Sequence, residues 1–378
     1  MTVPPFMFTL HVVGARPNFM KVAPVYHALA KAKAKQVVVH TGQHYDLNMS
    51  EVFFQQLRIP APEINLRVGS ASHAQQTAEI ISRFEPVLLE HRPDLVLVYG
   101  DVNSTVAAAL VCSKLQVKIG HVEAGLRSFD RTMPEEINRL LTDQLSDLLF
   151  TPSEDGNANL AREGVEAKKV HFVGNVMIDT LVRMLPAAER FLPSDLPPQY
   201  ALVTLHRPAN VDDLGWLSSM LAVLNDLAAR LPILFPIHPR TRQRLNTATL
   251  ARGTHAGLRF MDPLPYLDFL ALQTRATVVI TDSGGIQEET TYLGVPCLTV
   301  RENTERPVTI TCGTNILVGR DPERTRAEVE RILSGTRKRG ARPPLWDGKA
   351  AERIAAIVTG GANVAATAAL GSSLPTQA

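Results

Sequence analysis

Three acids in this 378-residue chain stand where proton transfer can be done: Asp101, Glu123 and Glu135. Asp101 follows the apolar run 95–99, Glu123 follows the run 117–122, and Glu135 opens a helical pattern after Thr132-Met133-Pro134. Carboxylates gathered at neighbouring strand ends raise one another's pKa values, which makes proton donors and acceptors near neutral pH. Each acid also has a plain structural alternative. Asp101 can cap the Ala-rich helix that follows it. Glu123 can pair with Arg127. Thr132-Met133-Pro134-Glu135 reads as a capping box.

A second group has the chemistry of an anion site. His206 and His238 each end an apolar run, and Arg207 and Arg240 stand beside them. Such a set can hold a diphosphate. The stretch 277–293 adds to it. Its β-branched start reads as a buried parallel strand. Asp282 and Ser283 offer N-cap side chains, and Gly284 and Gly285 let a ligand approach the backbone. Free amides and the positive end of a helix dipole suit phosphate. Glu289, about a turn and a half further on, can accept from a sugar hydroxyl. The alternative is an ordinary β-turn-α corner with a glycine turn.

The elements that must position these residues follow a regular rhythm. Apolar runs at 8–13, 37–41, 95–99, 117–122, 148–151 and 170–173 read as strands, with helical patterns between them, among them 16–33, 50–57 and 73–91. Region 174–200, with four prolines in 185–199, reads as a junction. The rhythm restarts with runs at 201–205, 233–237, 258–261, 277–281 and 296–300. Two closing helices lie near 322–333 and 348–358. Alternation of this kind predicts an α/β fold of two Rossmann-like domains, 1–175 and 176–360, each a parallel sheet covered by helices. The Gly/Ala/Ser/Thr-rich tail 361–378 is expected to be disordered. The polar residues gather at the carboxyl ends of the strands, where open α/β sheets bind ligands. Two such domains facing one another suit a ligand with an anionic middle and two hydrogen-bonding ends, as in a nucleotide sugar.

Composition narrows the partners. A net charge of +2 points away from nucleic acid and from an anionic membrane. No apolar run approaches the ~18 residues of a membrane span, and the start of the chain lacks a signal-peptide pattern. Cys112, Cys297 and Cys312 are scattered and odd in number, which suits a reducing cytoplasm and has no metal-site spacing. The first strand lacks Gly-x-Gly-x-x-Gly, so a bound dinucleotide is disfavoured. His121-x-Glu123 resembles a zinc-deaminase motif, but Pro296-Cys297 has no second cysteine and that reading is rejected.

Taken in order, Gly14-Ala15-Arg16-Pro17 with Lys21, Thr41-Gly42-Gln43-His44, Gly100-Asp101, Gly120-His121-Val122-Glu123-Ala124-Gly125-Leu126-Arg127, Pro134-Glu135-Glu136-Ile137-Asn138-Arg139, His206-Arg207, Thr281-Asp282-Ser283-Gly284-Gly285-Ile286-Gln287-Glu288-Glu289 and Thr304-Glu305-Arg306-Pro307 resemble the non-hydrolysing UDP-N-acetylglucosamine 2-epimerase family. The resemblance covers nearly the whole chain except the tail. It implies the glycosyltransferase-B architecture of two facing Rossmann-like domains, a homodimer, a UDP-sugar substrate, and neither metal nor other cofactor. The implied reaction is epimerisation at C2 by loss and re-addition of UDP through a 2-acetamidoglucal. By motif position Asp101, Glu123, Glu135 and His206 are then catalytic. Arg16, Lys21, His206, Arg207, His238, Ser283, Gly284, Gly285, Glu289 and Arg306 are expected to bind substrate.

The chain departs from the family pattern in places. Ala15 and Asn18 replace Thr and Glu, and Pro208 replaces a second basic residue. Gly14-Ala15-Arg16-Pro17 and Gln43-His44-Tyr45-Asp46 are closer to the branch acting on UDP-2,3-diacetamido-2,3-dideoxyglucuronate, the alternative substrate. A true glycosyltransferase and an inactive UDP-sugar sensor are the alternatives of other classes. The first is disfavoured because Ile280 and Thr281 stand eight before Glu288 and Glu289 where retaining enzymes have Glu. The second is disfavoured by the three acids. Bacterial relatives bind a second UDP-GlcNAc partly through the Gln43-His44 loop. Asp46 there predicts weak activation, because a carboxylate would face an incoming diphosphate.

Overall fold

The computed structural model describes residues 8–43, 56–245 and 255–360, and of Arg16 the backbone alone. The expected helix at 50–57 (apart from its last two residues), His44, Tyr45, Asp46 and the tail 361–378 lie outside the described residues.

The first sheet has seven parallel strands in the order β3-β2-β1-β4-β5-β6-β7. They are β1 Phe8–Val13, β2 Lys35–His40, β3 Ile64–Asn65, β4 Leu95–Tyr99, β5 Lys118–Val122, β6 Leu148–Thr151 and β7 Val170–Phe172. The helices between them are α1 Arg16–Lys31, α2 His73–His91, α3 Asn103–Lys114, α4 Pro134–Leu145, α5 Glu154–Arg162 and α6 Val176–Ala188. Strand β4 is buried along its whole length, as a strand covered on both faces must be. Ala107, Ala108 and Ala109 of α3 join Val96, Val98, Ile80 and Phe84 in one core cluster. Their small side chains let the helix lie close to the sheet.

The second sheet repeats the topology with six parallel strands in the order β10-β9-β8-β11-β12-β13. These are β8 Ala201–Thr204, β9 Ile233–Pro236, β10 Leu258–Met261, β11 Val278–Thr281, β12 Cys297–Thr299 and β13 Asn315–Leu317. The helices are α7 Pro208–Val211, α8 Leu214–Leu227, α9 Pro239–Arg244, α10 Tyr266–Arg275, α11 Gly284–Leu293, α12 Val308–Thr311 and α13 Pro322–Leu333, and the chain closes with α14 Ala350–Val358. Alternate residues of β8 feed two separate cores: Ala201 and Val203 face one, Leu202 the other. Strands β3 and β13 are additions to the sequence reading, since two or three residues are too few to establish a period.

The chain divides into two compact units. One is Met1–Leu126, Asp130–Thr180 and Asp347–Ala378, and the other is Arg127–Phe129 and Leu181–Trp346. The division corrects the boundaries read from the sequence. The crossing falls near 180 rather than 175, and α14 belongs with the first unit. The reason is a long-range cap. The buried carboxylate of Asp179, in α6, accepts the amides of Ala350 at 3.1 Å and Ala351 at 2.7 Å, and α14 packs against α1. Burial pushes the Asp179 carboxyl up to about 7.

In both sheets the strand order reverses beside the first strand, between β1 and β4 and between β8 and β11. Ligands in open α/β sheets bind at the carboxyl edge of such a reversal. Among the described residues no helix is long and apolar enough to cross a membrane.

Candidate active site

At the first reversal the loops after β4 and β5 meet α4, and α1 reaches these loops through Asn18 and Lys21. Asp101 does not cap α3, whose N-cap is Val102. Its Oδ2 instead lies 2.5 Å from Arg139 Nη1. The same guanidinium holds Glu136 Oε2 at 2.6 Å, and Asn138 donates to the Asp101 carbonyl at 2.9 Å. The capping box is also not formed. Met133 is the N-cap of α4, and Thr132 turns back to Asp130. Glu135 therefore stands in the first turn of α4 with no ion pair among the described residues, one turn before Arg139 on the same face.

Glu123 is buried and makes an ion pair with Lys21, which is also buried. Its backbone is in the left-handed region, φ +78°, which L-residues other than Gly seldom occupy. The turn is held because the Phe150 carbonyl accepts both the Glu123 and the Ala124 amides, at 3.1 and 3.0 Å. Lys21 Nζ also lies against Gly100, where a Cβ would meet it at 2.6 Å. Two of the three acids thus face a cation rather than a second carboxylate, in place of the expected crowding of bare acids. Lys21, expected among the substrate-binding groups, is here the partner of an acid. Asn18, a departure from the family motif, fastens the loops. Its Oδ1 accepts from Gly14 N and Ala15 N at 3.1 and 3.0 Å, and its Nδ2 donates to the Tyr99 carbonyl at 2.8 Å. Gln43 is buried, with Oε1 accepting from Ser104 N at 3.1 Å and Ser104 Oγ at 2.6 Å.

The second reversal has a different chemistry. Asp282, fully buried, is not a helix cap. It accepts the backbone amides of His206 at 3.0 Å and Arg207 at 2.9 Å and the Asn210 amide group at 3.1 Å. It also holds His206 Nδ1 at 2.8 Å. Burial pushes the Asp282 carboxyl up, but the His206 contact and the donated hydrogen bonds outweigh it and leave it below the ordinary value. His206 is thereby oriented, with its Nε2 turned away from Asp282. The His238 ring lies 5.4 Å from it, centroid to centroid. Arg240 is directed elsewhere, to Asp212 at 2.5 Å on the surface, rather than joining the histidines.

Arg306 joins Glu288 at 2.8 Å through Nε and Glu305 through Nη1. It lies so close to α11 that a Cβ on Gly284 would meet Nη1 at 2.6 Å. A side chain at this position would have to displace the guanidinium laid on the helix start. Arg301, which follows β12, holds Glu305 Oε2 at 2.7 Å, while its buried Nη1 has no partner among the described residues. Burial pushes the Glu305 carboxyl up, but Arg306, Arg301 and Arg207 overcome it and hold the group far below the carboxylate range. Burial lowers the Arg207 guanidinium, and Arg301 and Arg306 nearby add to the effect. Ser283 is the N-cap of α11 by position, but its side chain makes no capping bond. Glu289 already accepts from the Tyr266 hydroxyl at 2.8 Å and Gln273 Nε2 at 3.0 Å. Burial pushes its carboxyl up to about 7.

Arg139, Asp282 and Arg301 carried no assigned site role in the sequence reading. Arg139 and Asp282 do their work through partners far along the chain, and Arg301 through Glu305, four residues on. The one local signal was position, since Asp282 and Arg301 both follow apolar runs at the ligand edge.

Comparison with known proteins shows the family and the fold. The family model described as UDP-N-acetylglucosamine 2-epimerase matches residues 27–359. A UDP-N-acetylglucosamine 2-epimerase of Methanocaldococcus jannaschii is 43% identical over 361 residues, 93% of this chain and 98% of that one. A UDP-2,3-diacetamido-2,3-dideoxy-D-glucuronate 2-epimerase of Pseudomonas aeruginosa is 44% identical over 317 residues, 83% of this chain and 88% of that one. The crystal structure of the M. jannaschii UDP-GlcNAc 2-epimerase, in complex with UDP-GlcNAc and UDP, superposes with a TM-score of 0.85 at 42% identity, covering 94% of this chain and all of that one. Two sheets of one topology, with acids at one reversal and arginines at the other, are thus the frame on which this chain belongs to the UDP-N-acetylglucosamine 2-epimerase family.

Proposed function

We propose that the protein interconverts UDP-GlcNAc and UDP-ManNAc, as a homodimer in the cytoplasm. The C2 proton of the sugar is not acidic, because no carbonyl adjoins it. Breaking the C1–O bond lets UDP leave with the electron pair. A carboxylate removes the C2 proton, and a double bond forms between C1 and C2. UDP then adds back to C1 while an acid on the opposite face protonates C2. One base and one acid are needed, and Asp101, Glu123 and Glu135 supply them. Arg16, Arg207, Arg306, Ser283 and the amides of Gly284 and Gly285 stabilise the leaving diphosphate, helped by His206 and His238, while Lys21 stays with Glu123. Glu289 serves the nucleotide end. No step calls on a metal or a nicotinamide.

The observation that carries the reading is the pairing of acids with fixed cations at one strand edge, Asp101 with Arg139 and Glu123 with Lys21. Two buried free cysteines, Cys112 and Cys297, are consistent with a reducing compartment. Ile137 and Leu141, exposed one turn apart on α4, are a surface that a second subunit would cover.

The test is turnover of UDP-GlcNAc in deuterium oxide, followed by proton NMR. UDP-ManNAc carrying deuterium at C2 is expected, with full activity in the presence of a chelator. Unlabelled product would overturn the mechanism. The diacetamido-uronate reading is supported by the P. aeruginosa relative. Labelled epimer from that substrate, with none from UDP-GlcNAc, would establish it instead.

A further inference from the structure

Behind the three acids lies a buried pair that the proposed chemistry does not touch. His121 in β5 and Asp143 in α4 are almost wholly buried, with Nδ1 and Oδ1 2.6 Å apart. His121 Nε2 is 2.8 Å from the carbonyl oxygen of Gly100. Asp143 Oδ2 accepts from the Gly125 amide at 3.1 Å. These contacts limit where protons are. A carbonyl oxygen only accepts, so Nε2 carries a proton. A carboxylate also only accepts, so a second proton lies in the Nδ1–Oδ1 contact. Imidazolium facing carboxylate and imidazole facing carboxylic acid both place it there.

The three ends of this network are informative. Gly100 immediately precedes Asp101. Gly125 follows Glu123 by two residues, in the turn where Glu123 has its left-handed backbone. Asp143 shares a helix with Glu135 and Arg139. A buried ion pair is a poor source of stability, because well-packed apolar side chains of similar volume do as well or better. What it offers is a single geometry. We infer that His121 and Asp143 are positioning residues, whose shared proton locks the loops of Asp101 and Glu123 to the helix of Glu135. The inference rests on the catalytic reading of those acids.

Asp143→Leu removes the contacts to His121 Nδ1 and to the Gly125 amide and keeps an apolar volume. Asp143→Asn can restore them: its amide nitrogen donates to an unprotonated Nδ1, its oxygen accepts from Gly125, and Nε2–H still reaches Gly100. We expect Asp143→Leu to lose about 10²-fold in kcat, as a misplacement of about 1 Å does. UDP affinity and binding stoichiometry by calorimetry should stay at wild-type values. Asp143→Asn should recover kcat to within about tenfold of wild type. In an Asp101→Asn background the Leu substitution should cost far less than alone, because the group it positions is gone. A role in folding alone predicts instead additive losses and a lower binding stoichiometry. If Asp143→Leu does not fold, His121→Gln, whose amide can keep one contact but not both, takes its place with the same expectations. Wild-type kcat in the chosen variant, or an Asp143→Asn variant as impaired as it, would overturn the inference. Absence of turnover by the wild-type protein would instead bring down the functional reading on which it rests.

Discussion

The two strand-order reversals are alike in backbone and different in charge. At the first, Asp101, Glu123 and Glu136 pair with two cations, Lys21 and Arg139, and Glu135 stands beside them without an ion pair among the described residues. At the second, Arg207, Arg301 and Arg306 are matched by Asp282, Glu288 and Glu305, and the amino end of α11 adds positive potential. A site that moves protons needs acids beyond those its cations occupy. A site that holds an anion needs cations, and its buried acids serve to orient them. Asp282 is the clearest case, since its contacts to His206, Arg207 and Asn210 fix the loop of His206 and Arg207. One topology thus supports two chemistries, chosen by the residues at the strand ends.

The strongest way to break this comparison is to neutralise the acids. Asp101→Asn, Glu123→Gln and Glu135→Gln should each lower kcat by about 10²–10⁴-fold. UDP affinity, measured by calorimetry, should stay near the wild-type value if binding belongs to the second reversal. An amide variant that turns over at the wild-type rate would return that acid to a structural role.

The next effect is on stability. Burial holds the Glu289 carboxyl at about 7 in the folded protein, against an ordinary value of 4.5. The folded state therefore binds this proton more tightly than the unfolded chain does. The stability it contributes is complete below about pH 4.5 and is lost as pH rises to about 7, a change on the order of 3 kcal/mol. Glu289→Gln lacks this titration. Denaturant melts from pH 5 to 8 should show wild-type stability falling relative to the variant as pH rises. Parallel curves would refute it.

Smaller effects sharpen the anion side. Gly284→Ala drives a methyl group into the Arg306 guanidinium and should weaken UDP binding by about tenfold, the scale of one displaced charged hydrogen bond. The acids and the deuterium exchange they catalyse at saturating substrate should be little affected. Arg240→Ala should do least. Its exposed pairing with Asp212 directs it away from the histidines, so UDP affinity should stay within about twofold, as for most surface ion pairs. A large loss would restore it to the diphosphate site.

How much was legible beforehand depended on range. Every apolar run read as a strand became one, because strands covered on both faces are predominantly apolar. The three acids and the glycine turn were visible because strand ends and helix starts are local features. The caps proposed for Asp101 and Asp282 were local as well, and they gave way to tertiary partners, while the one proposed for Glu135 is not formed. A carboxylate near a guanidinium or several amides gains more than it does from one helix amide. Arg139 and Asp101 are 38 residues apart, Asp282 and His206 76. No spacing rule reaches that far.

By itself, then, the amino-acid sequence determined the alternation of strands and helices, the placing of acids and arginines at strand ends, and the family. Those follow from periodicity and from motifs a few residues long. Only the tertiary structure decided that α14 returns to the first unit, that Lys21 serves Glu123, and that His121 meets Asp143. In each case a buried charge or an unpaired helix amide must find a partner once water is excluded. Which partner it finds depends on which segments packing brings together.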